Sequence, residues 1–350
     1  MSKTTTPQAK TQTTRSTLIQ EISTAAQISK VSSAIWAFLW MADIPNLRTI
    51  LDNARSNPRA VYRQLNDRYQ AREAIKKWMD RTPVHDGEQQ QSHRLKEKKT
   101  RPRSMSKERS ANLDSILSWN AALCKTRDGN KCAITNANTH LHANSSNADN
   151  ETEVKVTHLA PISLEGGQCI RNAPFWSTLR LFFSEEKVDN WIAATKITTD
   201  TSNMICLSGD AAPALGNARY ALKPRRLNAK RTEMEMELFT LPGGYYNGER
   251  DILAKPVLDG AGKKGEGACV SVFLTTQNPR VYELPSWGIL ELAWYMNQVA
   301  ALSGIGNGSR ADEKRRIMSV MRRSLGLSVP AVKEVKGRCA LSRMLALRLI

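Results

Sequence analysis

A histidine at the end of an alternating segment is the first residue of this chain that could do chemistry. In EVKVTHL, residues 153–159, the apolar Val154 and Val156 alternate with polar residues, which predicts a β-strand with His158 on the valine face. Pro161 stops the strand pairing, so His158 stands at its end. A half-buried imidazole there could stay neutral and oriented, as a general base must be. The alternative is a core histidine with both ring nitrogens satisfied.

A second segment, TSNMICLSGDAAPALGNARYALKPRRL at 201–227, predicts the elements that must position a partner for that histidine. It contains a strand around Met204–Leu207 and a second strand through Tyr220–Leu222. Between them, Ser208 or Asp210 could cap a short helix.

A third segment, KTRDGNKCAIT at 125–135, comes before both. Asp128-Gly129 is a tight-turn signal, and a short strand is predicted at Cys132–Thr135. An Asn- and Ser-rich loop is expected from there to Asn150.

Together these segments resemble the HNH-type endonuclease domain that occurs widely in fungal proteins. The resemblance rests on RDGNKCAIT, VTHLAPISL, the pair Phe175-Trp176, NMICLSGDA and ARYALKP, which follow one another in the family's order. It covers roughly residues 113–303 and is strongest over 125–224. It implies the ββα-metal fold, in which a β-hairpin and a helix hold one divalent cation.

The resemblance also implies roles for two residues. His158 matches the general base that takes a proton from the attacking water. Asn203 matches the central asparagine, which supports the active-site loop or supplies an oxygen to the metal. Phosphodiester hydrolysis needs such a base and a cation that neutralises charge on the phosphoryl and leaving oxygens. The implied cofactor is Mg²⁺, which takes oxygen ligands, or Zn²⁺, which accepts imidazole.

The chain departs from the family pattern at Ala212. The family's last histidine, a metal ligand, falls nine residues after Asn203, and a methyl group cannot coordinate a cation. Pro213 further disturbs the helix pattern. Asp210 could replace the missing ligand only with a backbone shift, because a helix turns about 200° over two residues. Two hypotheses follow: a metal-dependent nuclease with a ligand set reduced to Asn203 and Asp210, or a non-catalytic module that holds no metal and binds nucleic acid or protein.

The charge of the chain favours an anionic partner. The formal net charge is +18 and the sequence pI is about 9.8. Nucleic acid, with DNA expected, is the leading partner, because each Lys or Arg set against a phosphate releases a condensed counterion. An acidic protein or a membrane surface is the alternative. The predicted phosphate contacts flank the HNH-like segments: Arg127, Lys223, Arg225 and Arg226.

The organisation predicted along the chain is that of an α+β protein, with a ββα-metal (HNH-like) module between a helical N-terminal region and a C-terminal helix. Apolar spacing predicts helices at 112–126 and after Pro285, and the Gly-rich residues 243–268 predict a long loop. The predicted divisions are a disordered tail 1–15, a helical region 16–80, a basic linker 81–112, an HNH-like domain 113–303 and a basic tail 304–350.

Cysteine usage and hydropathy suggest the compartment. The six cysteines form no CxxC pair and no zinc-finger spacing. Without a recognisable secretory leader, we expect reduced thiols and an intracellular protein, nuclear or cytoplasmic, with a mitochondrial presequence as the minor alternative. The apolar run 34–42 is too short to span a bilayer, so no membrane association is expected. The sequence leaves the oligomeric state open.

Overall fold

The computed structural model describes residues 7–81, 105–135, 154–164, 173–242, 248–256 and 270–305. Several sequence predictions lie outside these residues. They concern the first part of the N-terminal tail (1–6), most of the basic linker (82–104) and nearly all of the C-terminal tail (306–350). Four of the five histidines also lie outside the described residues: His85, His93, His140 and His142.

The described residues form helices and short strands in the following order. The helices are α1 (Pro7–Ala26), α2 (Ser33–Met41), α3 (Ile44–Ser56), α4 (Pro58–Asn66), α5 (Arg68–Met79), α6 (Met105–Arg127), α7 (Pro174–Phe182), α8 (Glu185–Ala194), α9 (Ala211–Gly216) and α10 (Trp287–Ser303). The strands are β1 (Lys30–Ser32), β2 (Val154–His158), β3 (Met204–Ser208), β4 (Tyr220–Leu227), β5 (Glu233–Thr240), β6 (Glu249–Asp251) and β7 (Val270–Thr275).

The strands pair into small antiparallel sheets. β1 pairs with β6, β2 pairs with β3, and β4, β5 and β7 form a three-stranded sheet with β5 in the middle. Mixed helices and small sheets confirm the α+β class. The strands β5 and β7 were not predicted, and β6 lies inside the segment predicted as a long loop.

Local sequence signals explain the N-terminal helices. The Ser32 hydroxyl caps α2 by accepting a hydrogen bond from the Ile35 N–H, and Asn57 and Asp67 cap α4 and α5 in the same way. Pro58 occupies the first turn of α4, where its missing N–H costs nothing. The predicted helical character of 16–80 is confirmed, but α1 begins at Pro7, within the predicted disordered tail.

The helix α2 is apolar on all sides because it lies inside the protein, where eight of its nine residues are buried. None of the helices in the described part of the chain combines the length and hydropathy that a bilayer crossing requires.

The N-terminal helices share one hydrophobic core with the rest of the protein. α10 packs against α2, α5, α8 and β4, and α5 packs against α7. Trp36 and Trp78 therefore belong to the same buried cluster as Trp176 and Met296. The sequence left open whether 16–80 folds on its own, and in the structure its buried side chains belong to the same core as those of 113–303.

The predicted hairpin turn at Asp128-Gly129 is the C-terminal cap of α6. Gly129 and Asn130 both adopt left-handed backbone angles, with φ of 62° and 53°. The Asn130 N–H donates to the Lys125 carbonyl at 2.8 Å, which closes the last turn. The strand predicted at Cys132–Thr135 does not form, and this segment is mostly turn.

A buried amide joins α10 to the end of α5. Oδ1 of Asn297 accepts hydrogen bonds from Nε1 of Trp78 at 2.9 Å and from Nη2 of Arg81 at 2.6 Å. Its Nδ2 donates to the Tyr220 carbonyl at 3.3 Å. Burial lowers the pKa of Arg81 to about 9, so this guanidinium depends on such partners.

We predict that Asn297→Leu lowers the free energy of unfolding by about 2–4 kcal/mol, because it leaves the Trp78 and Arg81 donors without their acceptor. The measurement is urea-induced unfolding followed by tryptophan fluorescence. Gln298→Leu is the matched control, since its amide bonds only the Trp294 carbonyl of its own helix. Equal losses in the two variants would contradict the role given to Asn297.

Candidate functional site

The antiparallel strands β2 and β3 carry His158. We call this strand pair the hairpin, although α7 and α8 lie between its two strands in the chain. Val154 pairs with Ser208 and His158 pairs with Met204 in an antiparallel register. Val154 and Val156 are buried and Lys155 is exposed, which confirms the predicted alternation. His158 therefore lies on the valine face of the hairpin.

The valine face of the hairpin is covered by α6. A small apolar cluster fills the interface and consists of Ala121, Cys124, Val154, Val156, Met204 and Cys206. His158 is only 1% exposed, so its ring is enclosed rather than half buried at a pocket mouth. A general base must reach the proton that it removes, either directly or through one water. In this structure the imidazole has no such access.

Asn203 holds the segment that follows His158. Its Oδ1 accepts a hydrogen bond from the Ala160 N–H at 2.8 Å, and its Nδ2 donates to the Ala160 carbonyl at 3.0 Å and to the Thr198 carbonyl at 2.8 Å. The Asn203 carbonyl also accepts from the Leu159 N–H at 2.9 Å. The side chain is fully buried and its amide is occupied by backbone. Asn203 is therefore placed as a loop clamp and not as the metal ligand that the sequence also allowed.

Asp210 stands immediately before the short helix α9 and makes no capping hydrogen bond with its side chain. The cap comes from Ser208, whose hydroxyl accepts from the Ala211 N–H at 3.4 Å. Asp210 was predicted as a substitute metal ligand for the position of Ala212.

The helix α9 packs on the larger core. Ala214 and Leu215 are buried in that core together with Ile205 and Leu207 of β3, and Ala212 packs against its edge. Because neighbouring residues of a strand point to opposite faces, Ile205 and Leu207 lie on the face of the hairpin away from Met204 and His158. The helix expected to face the histidine therefore packs on the other face.

Metal-binding potential lies elsewhere in the described residues. The one group of three His, Cys, Asp or Glu side chains there whose ligand atoms lie within 4.8 Å of one another is Cys124, Asp128 and Cys206. His158 and Asp210 are not part of it.

A guanidinium already occupies this cysteine cluster. Nε of Arg127 lies 2.7 Å from Oδ1 of Asp128, and Nη2 of Arg127 lies 3.3 Å from Sγ of Cys124. The two thiols are 3.9 Å apart, and Oδ2 of Asp128 accepts from the Cys206 N–H at 2.9 Å. The hydrogen bond with Cys124 and burial raise the pKa of Cys206, which keeps it a thiol. In this cluster the positive charge of Arg127 balances the carboxylate of Asp128.

Arg127 was predicted as a phosphate contact, and its burial corrects that prediction. Its side chain is 0% exposed. Nη1 donates to the Thr201 and Glu283 carbonyls at 2.9 and 2.6 Å, and Nη2 donates to the Met204 carbonyl at 2.8 Å. Burial alone would lower its pKa, but Cys124 and Asp128 raise it above the ordinary value. The guanidinium is thus a charged internal anchor.

The other predicted phosphate contacts lie on β4 and interact with side chains of β5 and α10. Arg225 forms an ion pair with Glu237, and Arg226 forms one with Glu233 at 3.1 Å. Lys223 lies over the Trp294 ring, with Nζ 5.3 Å from the ring centroid. Arg225 and Arg226 remain partly exposed, but facing carboxylates compete with any phosphate.

A cluster of cations that sequence reasoning missed lies at the β4–β5 turn. Lys230, Arg231 and Arg280 line a cavity of about 240 Å³, together with Glu283. All three cations are exposed, and in the part of the chain that the structure describes none of them forms an ion pair. The Asn228 Oδ1 shapes the turn by accepting from the Thr232 N–H at 2.8 Å. The run NAKR at 228–231 was the available signal.

This cavity borders the segment that leads into β3. The Arg127 guanidinium bridges the Glu283 carbonyl to the Thr201 carbonyl, and the Ser286 N–H donates to the Ser202 carbonyl at 2.8 Å. The cations are therefore held on the same framework as Asn203.

Comparisons with known proteins identify no family: no family model, no curated protein and no solved structure matches this chain. Function must therefore be inferred from the residues and their geometry.

We predict that Asn203→Asp lowers the free energy of unfolding by about 3 kcal/mol at pH 7, because it sets a carboxylate against the Ala160 and Thr198 carbonyls. Amide hydrogen exchange should accelerate most at Leu159 and Ala160. Asn217→Asp, a half-buried asparagine at the end of α9, is the control. Partial recovery of stability towards pH 4, where the new carboxyl gains a proton, is also expected. Unchanged exchange at Ala160 would refute the clamp.

Proposed function

We propose that this chain is a non-catalytic nucleic-acid-binding protein of HNH-like ancestry. The observation that carries the proposal is the burial of His158, whose side chain is 1% exposed. A ring in this position packs the hairpin and cannot serve an attacking water.

Two further features support the absence of catalysis. The Asn203 amide is consumed by three hydrogen bonds to backbone, and residue 212 carries a methyl group where the family pattern has an imidazole. A missing metal ligand removes the charge stabilisation on which metal-assisted phosphodiester hydrolysis depends. Asn203 is used here to hold the loop, which is the structural half of the role implied by the resemblance.

Charge supports nucleic acid as the partner. The chain carries a formal net charge of +18. Lys230, Arg231 and Arg280 line one cavity together with Glu283, and no carboxylate among the described residues forms an ion pair with any of the three. Exposed, unpaired cations gain most from a phosphate, because no internal ion pair has to be broken. These contacts position a backbone and carry no base sequence information.

We predict that the purified chain does not nick supercoiled plasmid DNA above background with Mg²⁺, Mn²⁺ or Zn²⁺, because its one described histidine is enclosed. Agarose-gel conversion of supercoiled to open-circular DNA measures this. His158→Ala distinguishes chain activity from a contaminating nuclease. Metal-dependent nicking that this substitution abolishes would overturn the proposal and restore the nuclease hypothesis.

We predict that the triple variant Lys230→Ala/Arg231→Ala/Arg280→Ala binds duplex DNA more weakly and with a salt slope reduced by up to about 3, from roughly 0.9 per lost phosphate contact. Fluorescence anisotropy across a potassium chloride series measures the slope. Arg225→Ala/Arg226→Ala is the matched control and should change the slope by less, because both arginines already face glutamates. A larger effect in the control would contradict the assignment of the cavity.

A further inference from the structure

The helices α4 and α5 present arginine and tyrosine side chains to solvent. Arg59, Tyr62 and Arg63 are spaced three and four residues apart, away from the buried Val61 and Leu65 of the same helix. Tyr62 is 49% exposed, and Tyr69, in the first turn of α5, is 72% exposed. We call Arg59, Tyr62, Arg63 and Tyr69 the arginine–tyrosine surface.

The two arginines of this surface have no internal counter-charge. Among the described residues, neither Arg59 nor Arg63 forms an ion pair or a side-chain hydrogen bond, whereas nearby Arg55 pairs with Glu21. The closest acid in sequence, Asp67, is engaged by the N–H groups at the start of α5. Like charges four residues apart destabilise a helix by about 0.2–0.5 kcal/mol. The arginine pair therefore does not stabilise α4.

A cleft opens beside the same surface. It measures about 480 Å³, within the range of roughly 300–1,000 Å³ typical of small-ligand pockets. Its lining includes the polar residues Arg63, Gln64, Asp67 and Gln70 and the apolar Leu181 and Phe182. Amide groups above apolar walls suit a planar heterocycle, whose edge takes hydrogen bonds and whose faces are apolar.

We propose that the arginine–tyrosine surface binds single-stranded nucleic acid. Arg59 and Arg63 contact phosphates, Tyr62 and Tyr69 stack on bases, and the cleft at Arg63 receives one base. Exposed aromatic side chains favour a single strand over a duplex, because paired bases stack on each other and hide their faces.

This inference rests on the proposed function, because it takes nucleic acid as the partner. It concerns different residues, however: the cavity of Lys230, Arg231 and Arg280 is proposed to bind backbone phosphates of single or double strands. The two surfaces can therefore be tested separately.

The experiment measures the anisotropy of a fluorescein-labelled dT20 oligonucleotide and of a matched duplex against the full chain. Tyr62→Ala/Tyr69→Ala should weaken dT20 binding by tenfold or more, because each base–aromatic stack contributes roughly fivefold or greater. Duplex binding should change by less than twofold. Tyr62→Phe/Tyr69→Phe should keep dT20 affinity, and Trp119→Ala, an exposed aromatic residue on α6, is the control.

The arginines are tested in the same assay. Arg59→Ala/Arg63→Ala should lower the salt slope for dT20 by about 1.4, from roughly 0.7 per single-strand phosphate contact. The control Arg55→Ala/Arg68→Ala removes arginines that pair with Glu21 and Glu249 and should lower it less.

The outcomes separate the two proposals. Unchanged dT20 affinity in the tyrosine double variant, or equal losses on dT20 and duplex, would overturn the single-strand surface. The proposed function would survive that result if the triple variant Lys230→Ala/Arg231→Ala/Arg280→Ala binds duplex DNA more weakly than the parent chain. A parent chain that binds neither oligonucleotide would overturn both.

Discussion

The buried ion pair of Arg127 and Asp128 is the interaction on which the position of the hairpin depends. Its guanidinium reaches carbonyls on both sides of Asn203 and in the segment before α10, while its carboxylate holds the Cys206 N–H. Burying two charges costs desolvation free energy. The hydrogen bonds from the guanidinium to backbone carbonyls and from the Cys206 N–H to the carboxylate offset that cost. The pair therefore fixes three separate segments in one arrangement and leaves little room for an alternative.

Around this anchor, polar groups that could serve catalysis are used to hold the fold. The Asn203 amide binds backbone, and the imidazole of His158 is buried. The same holds on β4, where Arg225 and Arg226 form ion pairs with Glu237 and Glu233 of β5. What remains for partners is the set of cations and aromatic side chains without internal contacts, at the β4–β5 turn and along α4 and α5.

Periodicity predicted the elements whose pattern is local. The alternation around Val154 and Val156 gave β2, and apolar spacing gave α10 and most of the N-terminal helices. The predictions that were wrong concerned features that depend on residues distant in sequence. Arg127 looks like a surface cation until Asp128 and the carbonyls around it are in place. Asp128-Gly129 suits a hairpin turn as well as a helix cap, and only the preceding turns of α6 decide between them. The shared core of 16–80 with α10 has no local signature at all.

The pairing of β2 with β3 spans an intervening stretch, residues 159–203, that contains α7 and α8. Bringing distant strands together loses chain entropy, and this loss grows with the logarithm of the enclosed length. Non-local pairing of this kind slows folding, whereas α7 and α8 form from contacts close in sequence. We therefore expect α7 and α8 to form first in folding. Their formation shortens the effective loop between β2 and β3, and these strands pair last.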